Sequence, residues 1–225
     1  MKQITCNTLE IFPQNESDNK LILATNDGYN HIYDINTLKK ISSIKSHEYG
    51  IWSLYILDNN TYITGSEDNS IKQWDIREPL NNKPAAMNNK SHQSSINSIT
   101  KLNINNNILM TGSYDEKVTF FDIRNLFTEV NQVKTEHSTW DIKQTESHSG
   151  KNLILMASIY EGFNIWEIDS SLNMNHLLRL PVTKDQDLYH KTIVYGIDIR
   201  DKKDCVDILS CSFYDNLIMH WKYFG

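Results

Sequence analysis

The chain has 225 residues, of which 39% are hydrophobic and 10% aromatic, with a formal net charge of −6 and a pI of about 5.7. A chain of this size buries about 70% of its surface on folding, and its negative charge disfavours nucleic acid or anionic lipid as a partner. Met1–Thr8 lacks the apolar core of a signal peptide, and no apolar stretch approaches the roughly 20 residues of a membrane span. We therefore expect a globular protein that works outside the membrane.

The cysteines and histidines point to no metal or disulfide chemistry. Cys6, Cys205 and Cys211 are odd in number and form no C-x-x-C pair, which argues against a disulfide framework and against a zinc site. No spaced cluster of histidines and carboxylates indicates another metal. We expect a cytoplasmic protein with neither metal nor cofactor.

Two segments, Thr64–Arg77 and Thr111–Arg124, have nearly the same sequence. Each begins with Thr-Gly-Ser-x-Asp, a turn signal, and continues with alternating apolar residues and an aromatic-Asp pair. This pattern resembles a blade of a WD40 β-propeller, whose period is about 40 to 45 residues. The acidic residue of the turn recurs near that period and marks five units: Asp27, Asp68, Asp115, Glu161 and Asp215.

We predict an all-β fold, a single WD40 β-propeller domain over residues 1–225 with five recognisable blades. The units span about residues 8–44, 47–88, 92–135, 137–180 and 190–225. Pro181–Tyr189 is polar and shows no strand alternation, so we expect an enlarged loop there. A propeller must protect the edges of its sheets, which leaves two arrangements open. Either Lys2–Asn7 adds an outer strand to the fifth unit, or N-terminal blades are absent from this chain.

A buried polar set is expected in each complete unit. A WD40 blade joins a His, a strand hydroxyl, the turn Asp and a Trp by hydrogen bonds, because a buried polar group without a partner is costly. His47, Thr64, Asp68 and Trp74 form such a set in the second unit.

The sets of the later units depart from this pattern when each is counted back from its turn acid. Phe121 replaces the Trp of the third unit, and Ala157 replaces the hydroxyl of the fourth. In the fifth unit the same count assigns Cys211 to the place of Thr64 and Ser212 to the place of Gly65. The fifth set then contains a thiol, a weaker hydrogen-bond donor than a hydroxyl.

Less generic strings follow one another in a particular order along the chain. They are Ser46-His47 with Trp52, Trp74-Asp-x-Arg77, Gly112-Ser-Tyr-Asp-Glu116, Trp140 before a strand, Val194-Tyr-Gly196, and Cys211-Ser-Phe-Tyr-Asp215 with Trp221. This order resembles the diphthine methylesterase WD-repeat family, also called diphthine methyltransferase, from about Leu21 to Trp221. The resemblance implies an enzyme of diphthamide biosynthesis that hydrolyses the methyl ester of methylated diphthine on eukaryotic elongation factor 2.

Ester hydrolysis needs an activated nucleophile or water, a general base and donors for the oxyanion. The chain contains no Gly-x-Ser-x-Gly elbow. His190 is our candidate base, Tyr195 the donor and Asp215 the orienting carboxylate, and Cys211 and Ser212 are the candidate nucleophiles. The alternative interpretation places His190 and Asp215 in the buried polar set and makes all five residues structural.

Three aromatic residues follow the His of their units at similar offsets. Trp52, Trp140 and Tyr195 are therefore candidates for one partner-binding rim. The alternative is that they pack between blades, because large aromatic side chains form much of any core.

A non-enzymatic interaction scaffold is the main alternative function. Trp74-Asp-Ile-Arg77 resembles the Trp-Asp-x-Arg motif of substrate receptors that dock on cullin-RING ligase adaptors, and Asp122-Ile-Arg124 nearly repeats it. Arg77 and Arg124 would then contact a ubiquitin-ligase adaptor, although an Arg just past a strand end is also an ordinary solvated residue. A truncated, inactive copy of the enzyme is the third possibility.

Overall fold

The structure, a computed structural model, describes residues 3–12, 20–78, 83–125, 128–159, 162–180 and 190–225. Within these ranges the regular elements are β-strands, and none of them contains a helix of the length and hydropathy that a membrane span requires. In chain order the strands are β1 Cys6–Ile11, β2 Lys20–Thr25, β3 Tyr29–Asp34, β4 Lys40–Lys45, β5 Ile51–Ile56, β6 Thr61–Ser66, β7 Ile71–Asp75, β8 Ala86–Asn88, β9 Ile96–Lys101, β10 Ile108–Ser113, β11 Lys117–Asp122, β12 Thr128–Lys134, β13 Thr139–Glu146, β14 Asn152–Ser158, β15 Gly162–Ile168, β16 Met174–Leu180, β17 Gly196–Asp201, β18 Val206–Ser212 and β19 Leu217–Tyr223. The predicted loop Pro181–Tyr189 and the turn acid Glu161 lie outside the described residues.

Strands that follow one another in the chain are also neighbours in a sheet. The first sheet contains β1 to β4, the second β5 to β8, the third β9 to β12, the fourth β13 to β16 and the fifth β17 to β19, each in sequence order across the sheet. An antiparallel meander of four strands is the blade of a β-propeller. The predicted all-β propeller fold with five recognisable blades is therefore confirmed.

Among the described residues the N-terminal segment adds no strand to the fifth sheet, so the first of the two alternatives is wrong. Cys6 and Asn7 belong to β1, which pairs with β2, and the fifth sheet has three strands. Pairing with β2 closes a short loop, which loses less chain entropy than reaching a strand at the far end of the sequence. Lys2 lies outside the described residues.

The described chain divides into two compact units. The first runs to Ile99 and includes Asn125, and the second contains the rest from Thr100 onward. Each unit has its own buried apolar clusters. That of the first unit contains Phe12, Ile22, Ala24, Ile32, Ile44, Ile51, Leu54, Tyr62 and Trp74. Fully burying one large apolar side chain contributes about 1.5 to 3 kcal/mol, so these clusters hold the sheets of each unit together.

The turn acids are followed by residues in the left-handed region of the backbone. These residues are Gly28, Asn69, Glu116, Gly162 and Asn216, all with positive φ. Glycine and asparagine tolerate this conformation, whereas most other residues lose stability in it. The same left-handed conformation therefore recurs at the position directly after the turn acid in all five units.

Candidate functional site

The predicted polar set of the second sheet is present. The His47 Nε2 lies 2.7 Å from Thr64 Oγ1, and its Nδ1 lies 2.9 Å from Asp68 Oδ2. The Trp74 indole donates a hydrogen bond to Thr64 Oγ1 at 3.0 Å. Indole N–H can only donate, so the Thr64 hydroxyl accepts from it and is free to donate to His47 Nε2. His47 is then neutral and carries its proton on Nδ1, facing the carboxylate.

An equivalent set exists in the fifth sheet, but its hydroxyl is Ser210 and not Cys211. The Ser210 Oγ lies 2.8 Å from His190 Nε2 and accepts a hydrogen bond from the Trp221 indole at 2.8 Å. The His190 Nδ1 lies 3.5 Å from Asp215 Oδ2. The fifth set therefore has the usual hydroxyl chemistry, and the assignment of Cys211 to the place of Thr64 is wrong.

The length of the turn explains this difference. Counting back from the turn acid assumes equal turns, but the fifth turn holds Phe213 and Tyr214 where the second holds Glu67 alone. Strand register gives the correct alignment, because Ile208 pairs with Trp221 as Tyr62 pairs with Trp74. The hydroxyl residue lies two positions after the residue that pairs with the Trp.

The same register corrects the fourth unit. Ile154 pairs with Trp166, so Met156, and not Ala157, occupies the place of the strand hydroxyl. Among the described residues the buried Trp166 indole has no hydrogen-bond acceptor. The fourth unit thus lacks the set, as expected, although the substituted residue is a different one.

The polar set of the fifth sheet is enclosed. His190 is 2% and Ser210 1% exposed. Burial lowers the pKa of His190. Burial acts to raise the pKa of Asp215, but hydrogen bonds, first that of the Lys191 amide, outweigh it and lower this pKa. Ser210, His190 and Asp215 have the residue types of a hydrolase triad, yet Thr64, His47 and Asp68 show the same arrangement in the other unit. Burial and this matched copy favour a structural role, and the catalytic role of His190 stays a prediction.

The two candidate nucleophiles lie on opposite faces of β18. Ser212 is buried on the same face as Ser210, whereas Cys211 is exposed on the other face, next to Gly196 of β17. Successive side chains of a strand alternate between faces, so the Cys211 thiol points away from the polar set. The structure does not bring Cys211 together with His190.

A cluster of four aromatic rings, called the aromatic cluster below, lies in the second unit and contains Trp140, Tyr195, Phe213 and Tyr214. The ring centroids of Trp140 and Tyr195 are 5.1 Å apart, those of Tyr195 and Tyr214 6.0 Å, and those of Phe213 and Tyr214 5.4 Å. The predicted association of Trp140 with Tyr195 is therefore present. Trp52 lies in the other compact unit.

Trp52 and Trp140 nevertheless share one local geometry. Both sit at an irregularity of the first strand of their sheet, where the register shifts between Ile51 and Ser53 in β5 and between Thr139 and Asp141 in β13. A β-bulge redirects the side chain of the extra residue. The sequence signal for this bulge position is a Trp that follows the His of its unit by a few residues, as Trp52 follows His47 and Trp140 follows His137.

Two members of the aromatic cluster, Phe213 and Tyr214, were not among the predicted site residues. The sequence holds a signal for Tyr214, because a Tyr precedes the turn acid in each of the last three units, as Tyr114, Tyr160 and Tyr214. Of these, Tyr160 lies outside the described residues. The structure shows that Tyr214 reaches the ring of Tyr195.

Asp141 is a titratable residue that the sequence analysis missed. Burial raises its pKa, against the opposing charge of Lys143 at 3.7 Å. Its Oδ2 accepts a hydrogen bond of 3.4 Å from the Ile197 amide, two residues after Tyr195. A carboxyl group whose pKa is raised by burial beside a surface cluster is a candidate acid or base.

A cavity of about 630 Å³ lies on the other, exposed face of the fifth sheet, where Leu209 and Asp198 contribute to its lining. Asp207 lies there with Lys202, Arg200 and His220 around it. Hydrogen bonds from Lys202, then from Arg200 and His220, lower the pKa of Asp207. This carboxylate is ionised and fully paired, which suits an ion network better than proton transfer.

Arg77 and Arg124 have one shared conformation. Each guanidinium group folds back on the Asp two residues earlier, at 2.5 Å from Asp75 and 2.6 Å from Asp122, and each side chain is 67% exposed. Exposed ion pairs of this kind contribute little to stability. Both side chains are thus exposed to solvent, each with its guanidinium group oriented toward its own Asp.

Across the described ranges, no group of three or more His, Cys, Asp or Glu side chains is arranged to hold a metal ion. The candidate groups of the second unit outside the polar set are the aromatic cluster, the largely buried carboxyl group of Asp141 and the exposed thiol of Cys211.

Comparison with known proteins agrees with this architecture. The WD40 family model, described as "WD domain, G-beta repeat", matches residues 38–75 and 86–122, so the chain contains WD40 repeats. A chain of the structure described as "Crystal Structure of Mitotic Checkpoint Complex" is similar at a TM-score of 0.72 and 16% identity, over 96% of this chain and 61% of that chain. At this identity the match shows the propeller fold alone.

Two of the relatives share one functional name. Diphthine methyltransferase of Homo sapiens is 27% identical over 152 residues, which are 65% of this chain and 32% of that protein. Diphthine methyltransferase of Mus musculus is 24% identical over 185 residues, which are 80% of this chain and 37% of that protein. The chain thus spans about a third of the length of these curated relatives.

Proposed function

We propose that this chain acts in diphthamide biosynthesis as a hydrolase of the methyl ester of methylated diphthine on eukaryotic elongation factor 2, in the cytoplasm. The observation that carries the proposal is the similarity to two diphthine methyltransferases, over 65% and 80% of this chain. In this reaction water adds to the ester carbonyl, methanol leaves, and a carboxylate remains on the protein substrate.

Two groups of the second unit are our candidates for the base and for the oxyanion donor. Burial raises the pKa of Asp141, which makes its carboxylate a stronger base than an exposed one and a candidate to take a proton from water. The hydroxyl of Tyr195, which lies two residues before the Ile197 amide that Asp141 contacts, supplies a donor for the oxyanion. With water as nucleophile, Cys211 and Ser212 need take no part.

Release of methanol from elongation factor 2 that carries methylated diphthine tests the proposal. We expect the 225-residue chain to release methanol, and Asp141→Asn to lower the rate about 100-fold or more, as loss of a general base does. Lys143→Gln is the matched control, because it removes the ion pair of Asp141 and keeps the carboxylate. If the folded chain releases no methanol, the proposed function is wrong. If Asp141→Asn keeps the wild-type rate, Asp141 is not the base.

The role of His190 is tested in the same assay with a matched histidine. His190→Asn and His47→Asn each remove one buried His from an equivalent polar set. If His190 only holds its sheet, both variants lose stability and keep activity below their melting temperatures. If His190 is the base, its variant alone loses methanol release.

An interaction scaffold is the second candidate function. The observation that favours it is the identical, exposed conformation of Arg77 and Arg124. A cullin-RING ligase adaptor would contact Arg77 or Arg124, which lie in different compact units. A pull-down of the adaptor by the wild-type chain, lost in the Arg77→Ala/Arg124→Ala variant, supports this function, and binding that survives both substitutions removes it.

A further inference from the structure

The exposure of the aromatic cluster is its first unusual property. Phe213 is 74% and Tyr214 64% exposed, although both rings contact another ring. Contiguous exposed apolar surface on a soluble protein commonly marks a binding site. The rings of this cluster are thus available to a ligand.

The rings of the aromatic cluster are steeply inclined to one another and are not stacked in parallel. The interplanar angle is 78° between Trp140 and Tyr195, 56° between Tyr195 and Tyr214, and 78° between Phe213 and Tyr214. Rings that meet at steep angles present edges and faces in several directions and form no single flat surface. Such an arrangement suits a compact, rounded group better than a flat one.

The backbone holds the rings in place. The Tyr195 amide donates a hydrogen bond of 2.9 Å to the Cys211 carbonyl. The turn that carries Tyr214 is tied down by Asp215, which accepts a 2.7 Å hydrogen bond from the Lys191 amide, and by Asn216 in a left-handed conformation. A preformed site loses little entropy when a ligand binds.

The electrostatics of the site favour a cation. The faces of Trp, Tyr and Phe rings carry partial negative charge, and they attract a cation within about 6 Å of the ring centre. Asp141, a carboxyl residue, follows Trp140 in the chain and accepts a hydrogen bond from the Ile197 amide of β17. A quaternary ammonium group has no N–H to satisfy, so rings can replace its water without loss of hydrogen bonds.

The geometry points to a binding site for a quaternary ammonium group at the aromatic cluster. This inference rests on the proposed function for the identity of the ligand, because diphthine carries a trimethylammonium group on the carbon that also bears the carboxyl group. With the ammonium against these rings, the ester carbonyl is attached to the carbon that bears the nitrogen, so we expect it to lie within reach of Tyr195, a member of the cluster, and of Asp141, which follows Trp140 in the chain. The cluster then selects the modified histidine and positions its ester.

The test compares choline with 3,3-dimethylbutan-1-ol, its neutral isostere with carbon in place of nitrogen. Titrations of the 225-residue chain followed by calorimetry and by the indole NMR signals measure both affinities. We expect choline to bind about tenfold more tightly than the isostere, as the strength of cation–π contacts implies. Equal affinity for the two probes, or no binding of choline, would overturn the inference.

Variants locate the site. Tyr214→Leu keeps an apolar side chain at an exposed turn and removes a ring, so it should abolish most of the preference for choline. Tyr49→Leu is the matched control, because Tyr49 is a 59% exposed tyrosine of the other compact unit. If Tyr49→Leu lowers the preference as much as Tyr214→Leu, or if Tyr214→Leu leaves it unchanged, the aromatic cluster is not the site.

The methanol-release assay separates this inference from the proposed function. Preference for choline at the cluster without methanol release leaves the ammonium site standing and removes the esterase. Methanol release with equal binding of choline and its isostere does the reverse. If both hold, Tyr214→Leu should raise KM for the modified elongation factor with a smaller effect on kcat, because the ring binds a group that does not react.

Discussion

The Trp221 indole donates a hydrogen bond of 2.8 Å to Ser210 Oγ, and the Trp74 indole donates one of 3.0 Å to Thr64 Oγ1. The same hydroxyl oxygen also contacts the His of its sheet in both places. In both of these sheets one hydroxyl oxygen therefore contacts the indole nitrogen of the Trp and the Nε2 of the His, which makes it the central member of the polar set.

Removal of this hydroxyl should destabilise the protein. In Ser210→Ala the buried nitrogens of Trp221 and His190 lose their shared partner, and each buried group left unsatisfied costs about 1 to 3 kcal/mol. We expect the melting temperature to fall by several degrees, measured by circular dichroism. Cys211→Ala, which changes an exposed residue one position later, should stay within about 0.5 kcal/mol of wild type. Equal losses in both variants would return Cys211 to the polar set.

Mild acid should also destabilise the fold. Burial lowers the pKa of His47 and of His190 below the ordinary 6.5. Below pH 6.5 the unfolded chain therefore takes up protons that the folded chain excludes, and the free energy of unfolding falls as pH drops toward the lowered folded values. The slope is about 1.4 kcal/mol per pH unit for each excluded proton.

Urea denaturation at pH 7.5 and pH 5.5 measures this effect. Between these values carboxylates such as Asp68 and Asp215, whose folded pKa values are lowered, remain ionised. Their contribution is lost only as pH falls below the unfolded value of 3.8. The difference between the two pH values should shrink in His47→Gln. An unchanged difference would mean that His47 does not exclude a proton in the folded state.

The third turn is predicted to gain stability from a single substitution. Glu116 has a φ of 64°, where the equivalent residues are Gly or Asn. Its exposed contact with Lys134, at 4.0 Å, contributes little. Glu116→Asn should therefore stabilise the protein by about 0.5 to 1 kcal/mol and raise its melting temperature. Asn69→Glu, the reverse change in the second turn, should lower it by a similar amount.

A small residue is required where one strand packs closely on the next sheet. A Cβ at Gly65 would lie 2.4 Å from Ser53 Oγ and 2.6 Å from Ile96 Cγ2. We expect Gly65→Ala to destabilise by about 1 to 3 kcal/mol through overpacking, measured by urea denaturation. Gly196→Ala is the control, because its Cβ would meet the Cys211 sulfur at 3.2 Å, the free end of a side chain that can move. A larger loss in the control would contradict this explanation.

Local patterns predicted the elements of this fold well. The alternation of Leu217, Met219 and Trp221 predicted β19, where these residues are the less exposed ones of the strand. Val118 and Phe120 predicted β11, but the structure buries Thr119 and Phe121 as well, because both faces of this strand are covered. The alternation of apolar and polar residues predicts a strand most clearly when only one face of the strand is buried.

The candidate site was predicted less well, for a reason that the fifth turn illustrates. Residue counting found His190 and Asp215 but replaced Ser210 by Cys211, since one additional turn residue shifts the count without changing the motif. Contacts across strands, such as the one between Trp140 and Tyr195, depend on where two distant segments meet. The burial that raises the pKa of Asp141 likewise comes from the surrounding structure.

The sequence by itself determined the all-β propeller fold, the five repeat units and the complete polar set of the second sheet, because repeats, turns and strand alternation are local properties of a chain. Only the tertiary structure decided that Ser210 is the hydroxyl of the fifth set, that Cys211 faces solvent, and that the four rings of the aromatic cluster meet. These facts depend on strand register and on turn length in space, since a shift of one residue moves a side chain to the opposite face of a sheet.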